Sequence, residues 1–123
     1  MMLNWVDSIS APVWRRLFLL ALAGVLVLLL VPTPETPASV SAIPHLDKVV
    51  HVLLFAGLAV LGLFAWPDQR LWVVVGLIGF GVLTECLQGM TGWRTFSVWD
   101  MVADAVGVGL GWRLRRLLLV FSR

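Results

Sequence analysis

The sequence contains no tyrosine, a single cysteine (Cys86), a single lysine (Lys48) and only 13% charged residues. One cysteine excludes an internal disulfide, and its place in an apolar run leaves the redox compartment unspecified. So little charge also excludes a soluble domain of this size. With 60% hydrophobic residues and a mean hydropathy of +0.97, a chain of 123 residues has more apolar surface than its own core can hide. The net charge of +2 and pI near 9.5 do not point to nucleic acid, because the arginines cluster at the ends of apolar runs and not over a solvated face. Seven tryptophans stand where those runs end and take the interfacial role that tyrosine would share.

What is present is a set of long apolar runs, which predicts an all-α integral membrane four-helix bundle. Residues 1–13 read as a cytoplasmic or interfacial lead-in, with Trp5, Val6 and Ile9 available to the surface. Trp14, Arg15 and Arg16 open the first transmembrane helix, residues 14–31, which stops at Pro32. A signal peptide is the rival reading, since two arginines precede the run and Val40, Ser41 and Ala42 resemble a peptidase site. It is set aside because that site lies well beyond the run, across Pro32, Pro34 and Pro37, and more spans follow. Residues 32–43 carry no helical period and read as an extended external loop, and Pro44 suits the first turn of a helix. Three further spans are predicted at about 45–66, 71–90 and 98–114, followed by a basic cytoplasmic tail over 115–123. Gly76, Gly79 and Gly81 in the third span, and Ala103, Gly107 and Gly111 in the fourth, are small enough to let helices approach closely. Ser97 and Asp100 match an N-terminal capping box.

Counting Lys and Arg fixes the expected orientation. Arg15, Arg16, Arg70, Arg113, Arg115, Arg116 and Arg123 fall on one side, Lys48 and Arg94 on the other, which places both termini in the cytoplasm. Asp47, Lys48, His51, Glu85, Gln88, Arg94, Asp100 and Asp104 then all gather toward the outer face. Charged groups at membrane depth are expensive and mark functional sites by default.

These residues, in this order against the apolar runs, resemble the VanZ-like family. It comprises small bacterial membrane proteins named for an accessory glycopeptide-resistance protein that acts against teicoplanin. The resemblance rests on His45, Asp47, Lys48, His51 and Phe55, on Glu85 and Gln88, on Arg94 to Ser97, and on Asp100, Asp104 and Gly107. It covers residues 44–112 and leaves the first span outside. It implies a multi-pass protein of the bacterial inner membrane connected with the cell envelope, and brings no reaction with it. One departure is visible: the family reads Asp-x-x-x-Asn in the fourth helix, and here the second position is Asp104. A carboxylate only accepts when ionised, whereas an amide also donates. Asp104 is therefore protonated, faces a cation, or sits in a different network.

Each polar residue has a bland reading beside the functional one. Asp47 complements the dipole at a helix start, and Lys48 snorkels to the interface. Spacing by four puts Asp47, His51 and Phe55 on one helix face, where His51 bonds Asp47 or a partner helix, or works as a titrating group. Glu85 lies ~7 Å below the end of its span by helix rise. It either pairs with Arg94 or serves in a site. Gln88 faces the same neighbour as Glu85 and suits interhelical bonding, while Arg94 clamps Asp100 or holds an anion. Asp100 belongs to the capping box; Asp104, one turn deeper, has no such excuse. Trp93 and Trp99 are the tryptophans near enough to line a cleft.

The functional reading takes Glu85, His51, Asp100 and Asp104 as catalytic candidates that handle protons, and Asp47, Lys48, Gln88 and Arg94 as binding candidates. The expected partners are the lipid bilayer and an anionic or lipid-linked envelope component. The alternative is a non-enzymatic bundle whose polar network is structural and which acts as an assembly partner. Metal binding by Asp47, His51, Glu85 and Asp104 is permitted by the spacing, but one His with carboxylates is a loose signature, so neither metal nor cofactor is expected. A pore is disfavoured, because the polar groups stop short of the cytoplasmic half.

Overall fold

The computed structural model describes residues 5–32 and 45–122. Nearly all of the expected loop over 32–43, the Val40-to-Ala42 peptidase-like stretch, Pro44, Arg123 and the first residues of the lead-in lie outside the described residues. The described chain is all-helical. A single turn, α1 (Trp5–Ser8), precedes α2 (Ala11–Leu30), α3 (Leu46–Ala65), α4 (Arg70–Met90) and α5 (Val98–Phe121).

Local chemistry sets the boundaries. Pro12 occupies the first turn of α2, where its missing N–H costs nothing. Pro32 disfavours helical geometry at Val31, which is extended. His45 precedes α3 in a left-handed conformation (φ 58°). Pro67 turns Trp66 out of the helical region and ends α3. Ser97 caps α5 by accepting from the Asp100 N–H at 3.3 Å.

Three helices, α2, α3 and α4, are long and apolar enough to cross a membrane. α5 is longer, at 24 residues, but Asp100, Asp104, Arg113, Arg115 and Arg116 keep its composition outside that class. Three expectations are corrected. The first long helix begins at Ala11, ahead of residue 14. The segment expected as a tail from 115 is the continuation of α5, which runs to Phe121. Of Gly76, Gly79 and Gly81, only Gly81 meets a neighbour; the other two face open space.

α3 lies at the centre, packed on α2, α4 and α5. Its Phe55, Leu58 and Ala59 form one core with Val25 and Leu29 of α2, Leu77 of α4 and Val108 of α5. The closest approach is between α3 and α5: a Cβ placed on Gly107 would stand 2.5 Å from the Val52 carbonyl oxygen, and one on Gly111 2.5 Å from that of Ala56. Of the small-residue stripe in α5, these two positions carry the contact.

The two ends differ in chemistry. At one, Trp14 stacks on Phe64 at 4.8 Å, and Trp5 lies tilted against Trp14 and edge-on to Phe64. Arg15, Arg70 and Arg115 lie over Trp66, Trp112 and Phe64 at 5.5, 5.7 and 5.7 Å. At the other end, where α2 and α4 finish and α3 and α5 start, the carboxylates collect.

Gly107→Ala and Gly111→Ala are each expected to destabilise the protein by about 1–3 kcal/mol through backbone collision. Gly109→Ala, which faces open space, should be neutral or slightly stabilising. Denaturation of the three variants in the same detergent checks this; equal stability among them would remove the close-packing account.

Candidate functional site

The acidic end is assembled from four helix termini. α3 contributes Asp47, Lys48 and His51 in its first two turns; α4 contributes Glu85 and Gln88 in its last two; α5 contributes Asp100 and Asp104 in its first two. His51 Nδ1 and Asp104 Oδ1 are 2.7 Å apart, both buried. His51 Nε2 faces Asp100 Oδ2 at 3.6 Å. Lys48 Nζ sits between Asp100 Oδ1, at 2.5 Å, and Asp47 Oδ2, at 2.6 Å. Glu85 Oε2 accepts from the Ser97 N–H at 2.9 Å.

This last bond completes the α5 cap from another helix. In a capping box the acid three residues into the helix returns to the cap's own N–H. Here Asp100 is turned toward Lys48 and His51, and Glu85 of α4 takes the Ser97 N–H in its place. Only the Ser97 half of the expected box forms within α5.

A second set of bonds closes the end of α2. A helix leaves its last four carbonyls without intrahelical partners, and Pro32 prevents the chain from continuing the ladder. Gln88 Nε2 donates to the Leu29 carbonyl at 2.8 Å, Trp93 Nε1 to Leu30 at 2.9 Å, and Arg94 Nη2 to Leu28 and Val31 at 3.3 and 3.2 Å. The first long helix, outside the region of family resemblance, is thus part of this end.

The site residues expected from sequence therefore divide. His51, Glu85 and Asp104 come together: one donor atom from each lies within 4.8 Å of the others, and the residues are 4%, 0% and 1% exposed. Asp100 and Lys48 adjoin them as an ion pair. Asp47 does not join; its side chain is 64% exposed and, among the described residues, pairs with Lys48. Lys48 does not snorkel freely but bridges two carboxylates. Arg94 bonds carbonyls of α2 in place of Glu85 or Asp100, and Gln88 bonds α2 and not an α5 residue. Trp99 is exposed and, with His45, Lys48, Val102 and Ala103, lines a shallow groove of about 470 Å³ beside the ion pair. Asp104 faces the His51 imidazole.

Sequence reasoning missed the α2 carbonyls, the Ser97 N–H as a Glu85 partner, and the place of Gly81 against Asp104. A Cβ on Gly81 would stand 2.9 Å from Asp104 Oδ2, so the glycine makes the space that Asp104 fills. The abrupt end of the first apolar run at Pro32 was the one available sign that carbonyls there would need donors from elsewhere in the chain.

Chemically, the Asp104 carboxylate orients His51 through Nδ1 and leaves Nε2 turned toward Asp100. An imidazole held this way by a carboxylate is suited to proton transfer. Among the described residues, the buried oxygens Glu85 Oε1, Asp104 Oδ2 and Gln88 Oε1 have no hydrogen-bond partner. Comparison with known proteins finds no matching family model, no matching curated protein and no matching solved structure.

Lys48→Met should cost about 1–3 kcal/mol, because it leaves the largely buried Asp100 carboxylate with His51 as its remaining basic neighbour. Adding Asp100→Leu should restore most of that loss, whereas Asp47→Ala, at an exposed pair, should change stability by less than about 1 kcal/mol. Unfolding of the single and double variants in detergent measures the coupling; additive effects would show that the pair is not coupled.

Proposed function

We propose that the chain is a VanZ-like, four-helix protein of the bacterial inner membrane, with cytoplasmic termini and an outward-facing site that binds or modifies an anionic, lipid-linked envelope component. Its action would bear on glycopeptide tolerance. α5 serves as the fourth span: Val98 to Arg116 rises ~27 Å, and snorkelling arginine stems extend that reach toward a hydrocarbon core of ~30 Å. Its two acids turn inward to His51 and Lys48, and its arginines stand at the cytoplasmic rim.

The observation that carries the reading is the convergence of His51, Glu85 and Asp104 from three helices with carboxylate oxygens left without partners. A network kept only for stability would gain by satisfying them, since each stranded buried acceptor costs about 1–3 kcal/mol. His51 and Asp104 form the proton-handling pair, with Glu85 as the second acid. Among the described residues Arg94 is anchored through Nη2, and its other terminal nitrogen would take an anionic head group.

A second reading has its own support. Lys48, Gln88, Trp93 and Arg94 are all engaged in bonds between helices or at helix ends, as in a structural network that presents a surface to a larger partner.

Glu85→Gln and Asp104→Asn distinguish the two. The site reading expects both variants to accumulate normally in the membrane and to lose activity by at least about tenfold in a glycopeptide-tolerance or envelope assay. Full activity at normal abundance would remove the site reading; loss of abundance or oligomerisation would favour the structural one. For topology, a cysteine placed after Phe121 should be shielded from membrane-impermeant thiol reagents in intact cells, in a Cys86→Ser background. Labelling of that cysteine would reverse the proposed orientation.

A further inference from the structure

We propose that His51, Glu85 and Asp104 bind one divalent transition-metal ion, zinc or manganese, at the junction of α3, α4 and α5. Donor atoms from the three residues lie within 4.8 Å of one another. Two ligands side by side on such an ion, each at ~2.1 Å, stand ~3.0 Å apart in octahedral and ~3.4 Å apart in tetrahedral geometry. The 2.7 Å separation of His51 Nδ1 and Asp104 Oδ1 is already close to one edge of that polyhedron. Closing the longest of these separations from as much as 4.8 Å to ~3.4 Å, a movement of about 1.4 Å, brings the third donor into range.

The orphaned oxygens are the independent reason to place an ion there. Glu85 Oε1 and Asp104 Oδ2 have no hydrogen-bond partner although their residues are 0% and 1% exposed. Nor does the nearest ammonium neutralise them: Lys48 is matched by Asp47 and Asp100. Two carboxylates and one imidazole present a divalent ion with two negative charges and a nitrogen donor. That set suits zinc or manganese, while the lack of a thiolate in the cluster argues against copper(I). The Ser97 N–H holds Glu85 by its other oxygen, and the Lys48–Asp100 pair adjoins His51, the kind of surrounding contact that fixes ligand orientation. Three protein ligands leave a coordination position for water or for a substrate oxygen, as in catalytic sites.

With the ion bound, His51 and Asp104 serve as its ligands in place of the proton-sharing pair, and the ion would supply the Lewis acid of the site proposed above; to that extent the inference rests on that reading. Metal content and envelope phenotype are nevertheless separate readouts, so either idea can fail alone. The test uses the full chain purified in detergent, stripped with a chelator, and titrated separately with zinc and manganese. Wild type should take up about one equivalent of at least one ion, as expected of a three-ligand site. Glu85→Gln and Asp104→Asn should weaken that affinity by at least about 10- to 100-fold, while Asp47→Asn, outside the cluster, should bind as wild type does. Should the site variants fail to fold, cobalt added to the stripped wild type decides the matter through visible absorption bands of a nitrogen–oxygen site of low coordination number. Uptake of neither ion by wild type, unchanged affinity in both site variants, or a cobalt spectrum like that of the hydrated ion would each overturn the proposal. One bound ion in a protein with no envelope phenotype would leave the metal site standing and remove the functional reading.

Discussion

A polar group that cannot reach water must find its partner within the chain, and the acidic end of this protein is arranged by that constraint. A buried backbone carbonyl left without a partner costs about 1–3 kcal/mol. The carbonyls that α2 leaves open at Pro32 are met by Gln88, Trp93 and Arg94, and the first amide of the α5 cap is met by Glu85. These bonds tie the end of α2 to α4 and the segment after it, and the end of α4 to the start of α5. The same side chains that read as candidate ligands in one dimension are, in three, the means by which helix termini are closed.

Against that background the His51–Asp104–Glu85 group stands apart. It satisfies part of its own demand through the imidazole and through Ser97, and leaves a carboxylate oxygen over on each acid. The close approach of α3 and α5 at Gly107 and Gly111 fixes the distance between His51 and Asp104, because both pairs lie on the same interface. Packing one or two turns deeper thus sets the geometry of the polar group above it. Gly81 does the equivalent service from α4 by leaving room for the Asp104 carboxylate.

Much of the helical architecture was legible because apolar runs and their punctuation are local properties. Pro32 and Pro67 end helices for reasons contained in the adjacent residues, and Ser97 marks a helix start by its own side chain. The continuation of α5 to Phe121 was not legible, since Arg113, Arg115 and Arg116 look like a tail until Arg115 is seen over Phe64. Likewise, Gly76 and Gly79 cannot be told from Gly81 by composition; only the position of Asp104 separates them.

Hydropathy and charge act wherever a residue stands, so the residues alone indicate a helical chain apolar enough for a membrane, with Glu85, Asp100 and Asp104 at the end opposite Arg15, Arg70, Arg113, Arg115 and Arg116. Tertiary structure alone decided which acid meets which base. Asp104 and not Asp47 takes His51, Asp100 takes Lys48, Glu85 takes a backbone amide, and Arg94 takes carbonyls in place of an acid. Such pairings depend on helix rotation and on distances of a few ångströms between segments far apart in the chain, and nothing in the spacing of residues along one helix contains them.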